Sequence, residues 1–161
     1  MATPQPRPGF DLSRMSTATK ILLGGSLLYL IDSFLPWNRV CVGGGGLIAD
    51  FCVSANLWHG VGFIAALLAI LILIMELLVV ANVEVNIGDA RTRSMIEAGL
   101  AGGVLLFTIL KVIIDSEALS FGAWLGIILA LAIAYGGYLR WTEAKVMAPP
   151  PGPSTTGGFT A

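Results

Sequence analysis

Four long apolar runs, separated by short polar stretches, set the pattern of the chain: Ile21–Leu35, Leu57–Val80, Met95–Ile114 and Phe121–Leu139. Each run is continuous rather than alternating, so the pattern predicts helices and not strands. A hydrocarbon core of ~30 Å takes about 20 helical residues. The last three runs meet that length directly. The first is shorter, and Thr17–Lys20 extends it, with the Lys20 ammonium reaching the interface on its own apolar stem. The expected helices cover about 17–36, 56–80, 94–114 and 120–140, with an outer loop over 37–55.

Local signals agree with these segments. Pro36 closes the first helix. Ser94-Met95-Ile96-Glu97 has the spacing of a capping box, which would start the third helix and explain Glu97 as a cap near the interface. No proline falls inside an apolar run, which argues against broken helices of the kind transporters use.

Composition turns this helical pattern into a membrane assignment. Hydrophobic residues make up 56% of the 161, and charged residues only 12%. Mean hydropathy is +0.85, whereas a soluble domain carries roughly 25% charge. The expected fold class is therefore an all-α membrane protein: four transmembrane helices in an antiparallel bundle spanning 17–142. The polar, Pro-rich start has no small-residue cleavage site after the first run, so that run is expected to stay in the mature protein. Residues 1–16 and the Pro/Gly-rich 143–161 are expected to form disordered tails.

Charge then gives an orientation. With both termini cytoplasmic, the inner side holds Arg7, Arg14, Lys20, Arg91, Arg93, Arg140 and Lys145, and the outer side holds Arg39 and Lys111. That bias fixes both tails inside. Trp37, Trp58 and Trp124 are expected at the outer interface, and Tyr138 and Trp141 at the inner one. The net charge of −1 gives no electrostatic case for nucleic acid.

Candidate chemistry is sparse. Cys41 and Cys52 lie in the outer loop, flanking the run Gly43–Gly46. An exported loop meets an oxidising compartment, so a disulfide is expected. A thiol–disulfide membrane enzyme is the redox alternative, but it calls for a Cys-x-x-Cys pair that this chain lacks. Asp32 lies four residues before Pro36, and Lys111 lies four before Asp115, so the two sit at similar depth on parallel helices. Buried ionisable groups in spans pair with one another. An Asp32–Lys111 ion pair is therefore expected, with Lys111–Asp115 as its i, i+4 competitor; His59 and Asp50 could join it from the loop. Glu76 falls near the inner interface, within reach of water, Arg91 or Arg93. His59 has no neighbouring His or Cys to make a metal site. Gly122, Gly126, Ala130 and Ala134 form a small-residue stripe on helix four, suited to close helix packing.

The stretches TKILLGGSLLYLIDSFLPW and GGVLLFTILKVIIDSEALSFGAWLGIILALAIAYGGYLRW resemble small four-span membrane proteins of actinobacterial type. The resemblance covers about 17–142 and implies architecture and a bacterial plasma-membrane location, not an activity. No catalytic, cofactor or metal motif stands out. The expected role is a non-enzymatic scaffold or accessory subunit that contacts the lipid bilayer and either its own copies or a larger membrane complex. A small oligomeric transporter or channel using intramembrane carboxylates is the alternative.

Overall fold

A computed structural model describes residues 15–42, 51–81, 83 and 90–147. The segments 1–14 and 148–161, the Gly43–Gly46 run and Asp50 lie outside the described residues, so the expectations about them stay at the level of sequence. Among the described residues the elements are α1 (Thr17–Asp32), β1 (Asn38–Val42), β2 (Phe51–Ala55), α2 (Gly62–Val80), α3 (Ala90–Ile114) and α4 (Phe121–Met147), with a 3-10 turn at Ser116–Ala118.

Helix α1 starts on Ser16, whose hydroxyl accepts the Thr19 backbone N–H at 3.2 Å. It ends at Asp32, short of the expected boundary at 36. The residue before a proline disfavours the helical region, and the chain turns through Ser33–Leu35 before Pro36. Within that turn the Ser33 hydroxyl donates to Leu30 O at 2.6 Å, and the Leu35 N–H donates to Asp32 O at 2.9 Å.

The segment expected to open helix two at 56 is instead a structured turn. Asn56 Oδ1 accepts the Trp58 N–H at 3.2 Å, an Asx arrangement that competes with helix. Gly60 has φ +69°, in the left-handed region that side chains avoid. Helix α2 therefore begins at Gly62.

The third boundary also moves. Helix α3 starts at Ala90, so Ser94 lies inside it, and its hydroxyl donates back to Arg91 O at 2.8 Å. The capping-box spacing occurs here without the cap. Helix α4 runs on to Met147, past the expected end at 140. Lys145 stacks on Trp141, one turn earlier, with Nζ 3.4 Å from the ring centroid.

The expected outer loop contains an antiparallel hairpin. Strands β1 and β2 pair Asn38 with Ala55, Val40 with Val53, and Cys41 with Cys52. The two cysteines are bonded. Because strand side chains alternate, Arg39, Cys41, Cys52 and Ser54 share one face. Asn38, Val40, Phe51, Val53 and Ala55 share the other.

Helix α1 packs against α2 and α4, and α3 packs against the same two. One end of the assembly gathers Thr19 from the start of α1, Glu76 from the end of α2, Glu97 from α3 and Arg140 from α4. The other end carries the hairpin. Consecutive helices therefore alternate in direction.

The interior combines a hydrophobic core that includes Leu22, Trp37, Ile72 and Ile133 with buried polar residues, and the exterior carries many large apolar side chains. The core-facing side of α1 carries Thr19, Ser26, Tyr29 and Asp32, while Leu27, Leu28 and Ile31 face outward. Helix α2 buries Ala65, Ala66, Ala69 and Glu76 and exposes Leu67, Leu71 and Leu77. Leu22 on α1 and Ile72 on α2 are buried as well, so what departs from a water-soluble domain is the extent of the exposed apolar surface. Among the described residues three helices, α2, α3 and α4, are long and apolar enough to cross a membrane.

Close packing depends on glycine at several places, Gly126 and Gly137 among them. A side-chain carbon at Gly126 would collide with the Trp37 ring, and one at Gly137 would lie 2.7 Å from Ala101 Cβ. The helix-four stripe thus faces inward: Gly122 sits under Pro36, Ala130 is fully buried, and Ala134 is half-buried.

Candidate functional site

Two polar clusters occupy opposite ends of the helices. The distal cluster centres on Arg140. Gly136 and Gly137, one turn earlier on the same face of α4, let α1 and α3 come close and leave room for the long guanidinium stem. Arg140 Nε donates to Glu97 Oε2 at 2.8 Å, and Nη1 donates to Thr19 Oγ1 at 2.9 Å. Arg140 Nη2 lies 3.6 Å from Glu76 Oε1.

Arg93 completes the group. Its Nε donates to Glu97 Oε1 at 3.0 Å, and its Nη2 reaches Met75 O at 3.4 Å. Glu76 and Glu97 are both fully buried. Two carboxylates thus meet two guanidiniums, and side chains from all four helices join in one knot. Glu97 is an internal ion-pair partner rather than a cap. Glu76 pairs with Arg140 rather than with Arg91 or Arg93, because α4 carries the guanidinium to the level where α2 ends. Neither Glu76 oxygen accepts a hydrogen bond among the described residues.

The hairpin-end cluster is built on Trp37. This residue is fully buried, not an interfacial belt residue as its position beside Pro36 predicts. Its indole N–H donates to Asp32 O at 3.1 Å, its backbone N–H donates to Ala55 O at 2.9 Å, and its carbonyl accepts the Ser120 N–H at 2.7 Å. Trp37 therefore ties α1, the hairpin and the start of α4 together, with its ring edge-on to Tyr29 and seated over Gly126.

One turn deeper, Tyr29 and Thr108 meet at 2.6 Å. The Thr108 hydroxyl donates to Val104 O at 2.7 Å, so its proton is used. Tyr29 is therefore the donor in the pair.

Tyr29 precedes Asp32 by three residues, and Thr108 precedes Lys111 by three. The faces expected to carry the acid and the base therefore do point toward one another, yet the expected pair does not form. Lys111 pairs with Asp115 on its own helix, which also keeps the ammonium at the carbonyl end of α3, where the helix dipole favours it. Asn38 Nδ2 donates to Asp115 Oδ2 at 2.7 Å. Partial burial of Asp115 works against its charged form, but the hydrogen bonds from Lys111 and Asn38 outweigh it and hold the carboxyl below the usual range. Asp32 is 1% exposed, and neither of its oxygens has a hydrogen-bond partner among the described residues; Ser26 Oγ is in the same position.

His59 is exposed and shares a 2.9 Å hydrogen bond with Asn56 Oδ1. Trp58, half-buried, donates its indole N–H to Ser33 Oγ at 3.1 Å, whereas Trp124 is largely exposed. Among the described residues there is no cluster of three metal-ligating side chains and no free cysteine.

Sequence reasoning missed the burial of Trp37, the Tyr29–Thr108 bond and the inward turn of Arg140. The Gly136-Gly137 pair was the signal for the last of these. No protein-family model matches the chain, and comparison with curated proteins and with solved structures returns no match.

Proposed function

We propose that the chain is a multi-pass protein of a bacterial plasma membrane, with four spans and both termini cytoplasmic. In this reading it acts without catalysis, as a scaffold or accessory subunit, through helix contacts. The observation that carries the membrane reading is the large apolar exterior of the helices, set around an interior that also holds polar groups. Polar Thr19, Ser26, Tyr29 and Asp32 point inward on α1, while Leu27, Leu28 and Ile31 point outward. Helix α1 rises only ~24 Å, and the apolar turn residues Phe34 and Leu35, both exposed, lengthen its lipid-facing surface. The cysteine bridge in the hairpin suits the oxidising, outward side.

Two features support a contact role. The Arg140 knot fixes all four helices at one end, and Trp37 fixes the other, so the unit suits a rigid mount. On the outside of α3, side chains added at Gly99 and Gly102 would meet nothing within 4 Å among the described residues, which leaves a notch for another helix. The test is quantitative pull-down from native membranes with a tag on the C-terminal tail. Co-purification with one complex, lost in Gly99→Ile/Gly102→Ile, is expected. A partner-free monomer after gentle extraction would overturn the reading.

The second reading is a transporter or channel. It is favoured by Asp32 and Glu76, two buried carboxyls that accept no hydrogen bond among the described residues. Ion flux in liposomes that is abolished by Asp32→Asn or Glu76→Gln would establish it and displace the first.

A further inference from the structure

The hairpin has one apolar face and one polar face. Val40 and Val53 are direct partners across the strands, and Phe51 lies two residues from Val53 on the same face. All three are more than half exposed. Arg39 and Ser54 are partners on the opposite face, beside the disulfide, and both are exposed. A lone two-stranded hairpin is marginal in water, and its apolar face needs a cover.

The apolar face runs on into the apolar exterior of the helices. Val40 and Val53 line a cleft of about 530 Å³ together with Ile114, the last residue of α3, which is itself more than half exposed. The neighbouring helix ends present the same chemistry. Phe34 follows α1 and Phe121 opens α4, and they are 68% and 73% exposed. Phe121 sits at the base of the hairpin, because the Ser120 N–H before it bonds Trp37 O. Hairpin and helix ends therefore share one apolar surface. A lipid boundary covers such a surface on several elements at once and needs no complementary shape.

Polar groups set how deep that surface lies. Asp115, Ser116 and Glu117 line the same cleft as the two valines. The outer edge of β2 has no partner strand among the described residues, and hydrocarbon would leave its backbone groups unsatisfied. The apolar face is thus poorly suited to water, and the strand edge is poorly suited to the hydrocarbon core. The headgroup boundary suits both, with apolar side chains directed inward and polar ones outward.

We infer that the hairpin is a membrane-contacting element in its own right. Val40, Phe51 and Val53 enter the headgroup boundary of the outer leaflet, and Arg39, the disulfide and Ser54 face water. This rests on the membrane reading above and adds a lipid contact outside the spans.

The test places single nitroxides in the full chain in phosphatidylcholine vesicles. Each is carried on a ketone side chain, which leaves the cysteine bridge intact. Labels at Val40, Val53, Ser54 and Ile128, an exposed position midway along α4, are read by their collisions with oxygen and with a water-soluble nickel chelate present on both sides. The oxygen-to-chelate ratio at Val40 and Val53 is expected to lie above that at Ser54 and below that at Ile128. Val53→Asp is expected to shift the Val40 label toward the chelate, and Ser54→Asp, on the opposite face, to leave it unchanged. Chelate access at Val40 and Val53 equal to that at Ser54, with Ile128 still in lipid, overturns the inference, as does no shift in Val53→Asp. Protection of Val40 and Val53 from both reagents also overturns it, because a protein then covers the face. Chelate access at Ile128 overturns the membrane reading itself, so the two failures are distinct.

Discussion

Replacing Arg140 with Met removes the one side chain that touches Thr19, Glu76 and Glu97 together. The side chains are similar in length, so the change mainly deletes the guanidinium. Its partners are not affected equally. Glu97 is fully buried but keeps its 3.0 Å bond to Arg93. Glu76 is also fully buried and loses the only cation within ion-pair distance among the described residues.

Breaking a buried pair from one side costs about 3–5 kcal/mol, because the other charge stays behind without compensation. Arg140 retains some exposure, which places the expected loss near the lower bound, about 3 kcal/mol. Arg93→Met is the matched control. Arg93 is more exposed, and Glu97 still has Arg140, so about 1 kcal/mol is expected. Equilibrium unfolding in mixed micelles measures both. Glu76→Gln in the Arg140→Met background should recover at least about 1 kcal/mol, since it removes the stranded charge. Equal losses below about 1 kcal/mol for the two arginine variants, with no recovery from Glu76→Gln, would refute the view that this knot holds the four helices.

Three further perturbations follow from the hairpin end. Thr108→Val leaves the Tyr29 O–H as a buried donor with no acceptor and should cost about 1–3 kcal/mol, whereas Tyr29→Phe should cost only about 1, because Thr108 keeps its bond to Val104 O; equal unfolding losses would mean that the donor has been assigned the wrong way round. Asp115 has its folded pKa depressed, so its stabilisation is fully present above the unfolded value of about 4 and is lost as pH falls through the lower folded value. The stability gap between wild type and Asp115→Asn, followed by acid titration of unfolding, should therefore close only below about pH 4; a gap that closes nearer neutrality contradicts the Lys111 and Asn38 contacts. Replacing both Cys41 and Cys52 with Ala should leave the helices intact by circular dichroism while speeding amide exchange in β1 and β2, because the bridge joins directly opposite residues of that hairpin; unchanged exchange would show that the strands hold without it.

Long-range helical pattern was legible in the chain, and local competition was not. Helices α2, α3 and α4 follow from apolar runs long enough to cross a membrane, and a continuous apolar run of that length favours a helix, which satisfies its own backbone. The boundaries moved wherever a short-range bond competed. Pro36 ended α1 through the turn that leads into it, Gly60 delayed α2, and Ser94 bonded backward inside α3 instead of capping it. The hairpin escaped notice because its evidence is an alternation only five residues long per strand, Asn38–Val42 against Phe51–Ala55, inside a segment that helical spacing could not interpret.

The charged residues show the same limit from the other side. The depths of Asp32 and Lys111 were legible, and the Tyr29–Thr108 bond sets their two faces toward each other. Depth alone did not decide the pairing, because Asp115 offers Lys111 a partner on its own helix with no second span to align. Arg140 was counted as an inner-side charge, which treats a side chain as a label for a loop. Its three donors instead face inward, over the surface that Gly136 and Gly137 keep clear. A basic residue one turn past a glycine pair on a packed helix face is therefore better read as a buried partner in search of carboxylates. In this chain the two that match it, Glu76 and Glu97, are the carboxylates that the sequence had placed at the membrane surface.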